Sequence, residues 1–371
     1  MAQVIELPRQ SDGEVHYLHF TGGFRAAEVA KGAWRIEPVF VNGRPCAKGP
    51  LTKDELKALT RANNFRAVAF HLFGWVDGVY HSSWKPIVPS QPNHFEGPAG
   101  LWSNIAGNIA RLRTKVFFEG AKHPTYAEVA KVVDNKHPVE ALARYISLSL
   151  RNMDISVEQI SDHYYEQLVN HMASGRLEGE RSTNTQAQTL YAHVHSFFLH
   201  LGAAQDYLGA LVAYRIGLNP KDVDSMAGLA GKLEQASLPK DALLDLLISS
   251  GNVAADPQRP GELRRAGWMQ EVASIRRILV HKRPYGSKFS EGKGWTVPLQ
   301  KEDGLFRYVR PLKVEDGAEK DVFDVLHHHY ANCTGLFQKA AKASGYDTAR
   351  MHITDDDIVS FENRNLAGPN S

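Results

Sequence analysis

Cysteine is scarce. Cys46 and Cys333 are the two in 371 residues, which excludes a disulfide scaffold and a four-cysteine zinc site and suits a reducing compartment. An excess of one charge is also missing. Lys and Arg number 43 against 41 Asp and Glu, a net charge of +2. A general basic coat for nucleic acid is thereby excluded, and any such site must be a local patch. Long hydrophobic runs are absent too. The uncharged stretch 182–205 holds Asn184, Gln186, Gln188, His193, His195 and His200, too polar for a bilayer span, and reads as a buried helix. The first twenty residues carry Glu6, Arg9, Asp12 and Glu14 and no apolar core, so no secretory signal is expected. The chain is expected in the cytoplasm, away from membranes. Residues 228–233 lack the spacing and hydroxyl of a phosphate-binding loop, and no dinucleotide fingerprint, serine-hydrolase elbow or paired-histidine zinc-protease motif occurs.

What is present is an ordinary globular composition, 43% hydrophobic and 23% charged, with an unusual 17 histidines. Residues 14–20 and 34–41 alternate as strands, with Asn42-Gly43 closing the second. Thr52 with Glu55 forms a capping box opening a helix expected to reach about Phe73. Residues 74–100 hold Pro86, Pro89, Pro92 and Pro98 and read as a long loop. Helices are expected at 101–118, 125–133, 139–150 and 156–173. The polar stretch 174–184 marks a domain boundary. Beyond it Leu190, Val194, Phe197, Leu201, Leu208, Leu211 and Val212 form one apolar stripe of a long helix. A second long helix is expected over 262–282, with Trp268, Val272, Ile275 and Leu279 as its stripe and Pro284 as its stop. Shorter helices are expected at 223–235 and 240–250, a loop at 252–261, strand-like fragments in 285–311, and a last helix at 319–343. The expected class is mainly α: a mixed α+β region over 1–175, a helical bundle over 185–345 and a polar tail over 346–371.

The local basic patch lies in 262–288, where seven basic residues stand against two acidic ones. A cationic helix C-terminus is favoured by the helix dipole, so the cluster alone needs no function. Within it, Arg276-Arg277-Ile278-Leu279-Val280-His281 resembles the Arg-polar-x3-His motif of HEPN domains. The earlier helix supplies Asp206, where similar proteins carry an acidic residue, and a final helix follows. The resemblance covers about 185–345. It implies a HEPN-like helical bundle and a metal-independent endoribonuclease, often a toxin or phage-defence effector, that cleaves RNA through 2′-hydroxyl attack. It implies a homodimer in which Arg and His of two protomers line a shared cleft, with an antitoxin or regulatory partner also allowed. His281 would be the general acid or base, Arg276 would hold the scissile phosphate, and Asp206 would orient one of them. Arg277, where relatives usually carry a small polar residue, would bind RNA phosphate together with Lys282 and Arg283. No cofactor and no metal are implied. By helix geometry Arg276 and His281 lie about 140° apart, so they converge only if the helix end distorts or two chains meet.

Two other readings of the same residues stay open: a non-catalytic RNA- or nucleotide-binding module, and a helical interaction protein whose Arg and His are structural. Asp206, in an apolar helix, needs a partner in any case. His195 reads as a hydrogen-bonded core histidine. His329 and Cys333, four apart, share a helix face and make half a zinc site, but no second pair with ligand spacing accompanies them. His16 and His19 point to opposite faces of a strand. Trp75, Tyr80, Trp84 and Trp102 either stack on bases or cover a core.

Overall fold

A computed structural model describes residues 13–350 apart from 77–78, 89–95, 122–123, 184, 220–221, 300–303 and 314–318. The chain opens with strands β1 (Gly13–Phe20), β2 (Arg25–Ala30), β3 (Ala33–Val41) and β4 (Arg44–Thr52). Asn42 and Gly43, with φ of 50° and 80°, make the tight turn from β3 to β4, where positive φ suits a two-residue hairpin. Helix α1 (Lys53–Ala62) begins at the expected capping box: the Glu55 amide donates to Thr52 Oγ1 at 3.3 Å, and the Thr52 amide donates to Glu55 Oε2 at 2.7 Å.

From here the chain departs from its sequence reading. The helix does not continue to Phe73. Asn64 adopts φ 59°, and the apolar residues that follow form β5 (Ala67–Val76), with β6 (Val79–Pro86) in place of the expected loop. Strand β5 pairs with β1 in the registers Tyr17↔His71 and Leu18↔Phe70. An apolar run of this length serves a helix or a buried strand equally well, and pairing with a distant strand decides. The result is a six-stranded antiparallel sheet in the order β4-β3-β2-β1-β5-β6.

Helices then follow: α2 (Pro98–Gly120), α3 (Tyr126–Asp134), α4 (Pro138–Ala173), α5 (Ala187–Arg215), α6 (Met226–Gly231) and α7 (Ala242–Ser249). The two helices expected within 139–173 are one 36-residue helix, α4. Strands β7 (Val253–Ala255) and β8 (Leu263–Arg265) form a hairpin where a loop and the start of a helix were expected, so α8 spans only Gly267–Arg277. Two more hairpins, β9 (Trp295–Pro298) with β10 (Phe306–Val309) and β11 (Pro311–Lys313) with β12 (Glu319–Asp321), precede α9 (Val322–Ala343).

The expected mainly α class with a self-contained C-terminal bundle is therefore corrected. Helices hold 53% and strands 23% of the described residues, an α+β chain in which one sheet dominates the first region. The helices after residue 185 do not close on themselves. Ile146, Leu150, Met153 and Val157 of α4 belong to the same buried cluster as Val194, Phe197 and Leu201 of α5 and Phe323 and Phe337 of α9. Two long helices bury their stripes most economically on each other, whatever lies in the linker between them. A smaller cluster, with Phe24, Ile36, Leu56 and Phe65, fills the space between the sheet and α1. The expected stripe residues Val194, Phe197, Leu201, Leu208, Val272, Ile275 and Leu279 are buried, and Trp268 is partly buried against them. No helix among the described residues is long and apolar enough to cross a membrane.

Candidate functional site at the end of α8

Helix α8 is fixed by its apolar side. Met269, Val272 and Ile275 are buried at helical spacing. That orientation turns Arg276 toward α5, where one face carries Gly202, Asp206 and Gly209 at spacings of four and three. The two glycines make this face a groove. A Cβ on Gly202 would lie 2.6 Å from Arg276 Nη1, and one on Gly209 would lie 2.9 Å from the backbone of Met226. The Arg276 side chain and the first turn of α6 therefore sit directly on the α5 backbone.

Asp206 lies between them and serves both. Arg276 Nη1 donates to its Oδ2 at 3.3 Å, and the Met226 amide donates to its Oδ1 at 3.2 Å. Arg265, from β8, also acts on this carboxylate. Burial raises the Asp206 pKa, against the lowering by the Met226 amide, Arg276 and Arg265. Burial lowers that of Arg265, with Asp206 opposing and Arg276 reinforcing the effect. Arg265 Nε is buried with no hydrogen-bond partner among the described residues. Two guanidiniums thus share one carboxylate, and the cluster keeps a net positive charge. Arg276 remains about one third exposed.

The helix then changes pitch. Residues Ile278–Lys282 form a π-helical turn, closed by the Arg283 amide donating to the Ile278 carbonyl at 2.7 Å. Pro284 cannot extend the α pattern, and the wider i→i+5 turn satisfies a carbonyl that would otherwise be orphaned. The helix end is thus distorted, but only from Ile278 onward, after Arg276. Leu279 stays buried, while His281 and Lys282 are exposed, as is Arg277 just before the turn.

The structure brings Asp206 and Arg276 into contact. No hydrogen bond or ion pair joins His281 to either of them among the described residues. Arg283, one of the expected RNA contacts, is engaged within the fold. Its Nη1 donates to Glu291 Oε1 at 2.7 Å, its Nη2 donates to the Lys313 carbonyl at 3.3 Å, and the Glu291 side chain is 1% exposed. Arg283 therefore neutralises a buried carboxylate. His195 accepts from the Tyr285 amide at 2.9 Å, as a core histidine does, and burial lowers its pKa. The His329–Cys333 pair lies wholly in the interior, with both side chains buried and the Cys333 thiol pushed well up by desolvation; the neighbouring His327 binds the Ala67 carbonyl at 3.1 Å.

A second polar centre went unread in the sequence. Between the sheet and α4, Tyr17, His19, Arg25, Glu37, His71, Asp162 and Tyr165 surround a cleft of about 360 Å³. Arg25 is ion-paired with Asp162. His71 Nε2 lies 3.4 Å from Glu158 Oε1, and His19 Nδ1 is hydrogen-bonded to Ser161 Oγ at 2.9 Å. Burial, then Arg25 and His71, push His19 well below the usual imidazole range. Behind the cleft the Trp84 indole donates to the Tyr330 hydroxyl at 3.1 Å, and that hydroxyl donates to Asp154 at 2.5 Å. Asp154 is pushed up to about 7 by burial. The available signal was the polar periodicity of α4, where Asp154, Glu158, Ser161, Asp162 and Tyr165 share a face at spacings of three and four. Of the four aromatics noted in this region, Trp102 is fully buried, whereas Trp75 and Tyr80 stay exposed as an edge-to-face pair.

No family model, curated protein or solved structure matches the chain.

Proposed function

We propose that the end of α8 binds RNA phosphate and cleaves the adjacent bond, as an endoribonuclease of the Arg-x4-His type. The observation that carries this is the Asp206–Arg276 contact in the Gly202 groove. A guanidinium held by a half-buried carboxylate, beside the second guanidinium of Arg265, is preorganised for an oxyanion and keeps the net positive charge that a phosphate needs. The π-helical turn then exposes an imidazole five residues on, and single π-turns often accompany functional sites.

In this mechanism the RNA 2′-hydroxyl attacks the neighbouring phosphorus and the bond to the 5′-oxygen breaks. One imidazole takes the 2′-proton, and a proton is returned to the leaving oxygen. His281 fills one of these roles, because imidazole exchanges protons near neutral pH. Arg276 stabilises the charge on the non-bridging oxygens. Arg277 and Lys282 add phosphate contacts. A homodimer placing two copies of the turn together supplies the second acid–base group. The toxin or phage-defence role rests on the motif resemblance.

The direct test incubates the full chain with RNA in excess chelator and determines the product ends. The expected products are a 2′,3′-cyclic phosphate and a 5′-hydroxyl. Cleavage that stops with chelator contradicts the mechanism, and RNA binding without cleavage selects the non-catalytic binding module.

A further inference from the structure

The side of α8 turned to α9 carries different chemistry. The two helices wall a cavity of about 830 Å³ whose lining includes Glu271, Ser274, Asp324, His328 and His329. One donor atom from each of Glu271, His328 and His329 lies within 4.8 Å of the others. Their roles within the fold are weak. His328 Nε2 stands 4.0 Å from Glu271 Oε2, an exposed pair on side chains 54% and 62% accessible, and such pairs contribute little stability.

His329 is the informative member. It is 2% exposed, and its Nδ1 is buried with no hydrogen-bond partner among the described residues. An unpaired buried imidazole nitrogen is costly unless something else engages the ring. Buried imidazole nitrogens without a partner among the described residues also occur at His19, His163 and His327, but among these histidines only His329 belongs to a group of three metal-ligating side chains.

We propose that Glu271, His328 and His329 form a divalent-cation site of the zinc class, with its remaining coordination position opening into the cavity between α8 and α9. Two imidazoles and one carboxylate suit zinc better than calcium or magnesium, which prefer all-oxygen sets. Zinc–ligand distances place tetrahedral donors roughly 3.4 Å apart. The exposed Glu271 and His328 side chains must therefore close on the buried His329, and their accessibility leaves them room to do so. Asn332 Nδ2, 3.3 Å from His328 Nε2, would release that nitrogen to the ion. Three protein ligands with one open position is the arrangement that retains water or a substrate oxygen on zinc. This site is independent of the metal-free chemistry proposed at the other side of α8.

The test uses the full chain stripped with chelator and desalted. Zn²⁺ is titrated by calorimetry, and Co²⁺ binding is followed by its visible absorption. One ion per chain is expected, with the absorption of a four-coordinate cobalt site. His328→Ala and Glu271→Gln, both on exposed side chains, should each weaken binding at least about tenfold, equivalent to 1.4 kcal/mol, with unchanged circular dichroism. The proposal is overturned if the double variant takes up the ion as the native chain does, which would mean scattered surface histidines. It is equally overturned if the native chain takes up none at millimolar Zn²⁺.

Discussion

The cleft between the sheet and α4 is richer in ionisable groups than the end of α8, but its charges are largely answered from within. Arg25 pairs with Asp162, His71 lies by Glu158, and Tyr330 covers Asp154. At the end of α8, Asp206 stands beside two guanidiniums, those of Arg276 and Arg265, and His281 and Lys282 face solvent. The two regions differ in charge balance, not only in the number of polar residues. Unbalanced charge beside an exposed acid–base group marks a candidate ligand site. The cleft holds the sheet on the helices, and the α8 end is where the proposed phosphate site lies.

The largest expected effect lies at the buried side, in Asp154. Asp154 has a folded-state pKa of about 7, raised by burial from 3.8. A raised carboxylate contributes stability that is fully present below its unfolded pKa and is lost as pH rises through the folded one. Relative to Asp154→Asn, the native chain should therefore lose on the order of 4 kcal/mol between pH 4 and pH 8. Urea unfolding of both proteins at the two pH values measures this, and equal differences at both would remove Asp154 from the account. Next comes Arg283, an apparent member of the α8 patch. Arg283→Ala strands the buried Glu291 and should cost about 3 kcal/mol, whereas Lys282→Ala should stay within about 0.5 kcal/mol. Thermal melts separate them, and equal costs would erase the distinction between structural and available cations.

Gly202→Ala sharpens the comparison at the groove. The new methyl would meet Arg276 Nη1 at 2.6 Å and drive the guanidinium off Asp206. Helix propensity offsets up to about 1 kcal/mol of strain, so folding should persist while RNA cleavage falls at least about tenfold. Undiminished cleavage would show that the Asp206 contact does not position Arg276. The smallest effect belongs to Arg277→Ala and Lys282→Ala. Each should reduce the slope of log affinity against log salt by about 1, with cleavage persisting at saturating RNA.

Local signals were readable in the sequence where they were self-contained. The Thr52–Glu55 box, the stripes of α5 and α8, and the need of Asp206 for a partner all follow from residues within a few turns of one another. Features set by distant partners were not. The run 67–73 looked helical until β1 supplied its pairing. The three-residue strands β7 and β8 are too short for periodicity to register. Arg283 looked like a surface cation because its partner Glu291, eight residues on in an irregular segment, is placed against it by no helical or strand spacing. Glu271 joins His328 and His329 across two helices, and adjacent helix positions do not normally face one another. The π-helical turn follows from Pro284 in hindsight, but proline predicts an end to the helix without specifying its pitch.

The central claim is that an exposed imidazole at the π-helical turn performs proton transfer on RNA. His281→Ala tests it most directly, because replacing an exposed side chain leaves the fold intact. Native and variant chains, matched by circular dichroism, are compared for cleavage at saturating RNA in the presence of chelator. The account predicts that the variant binds RNA within a fewfold of the native affinity and that its cleavage falls by about 100-fold or more, the usual scale of acid–base catalysis. Cleavage by the variant at the native rate would contradict it.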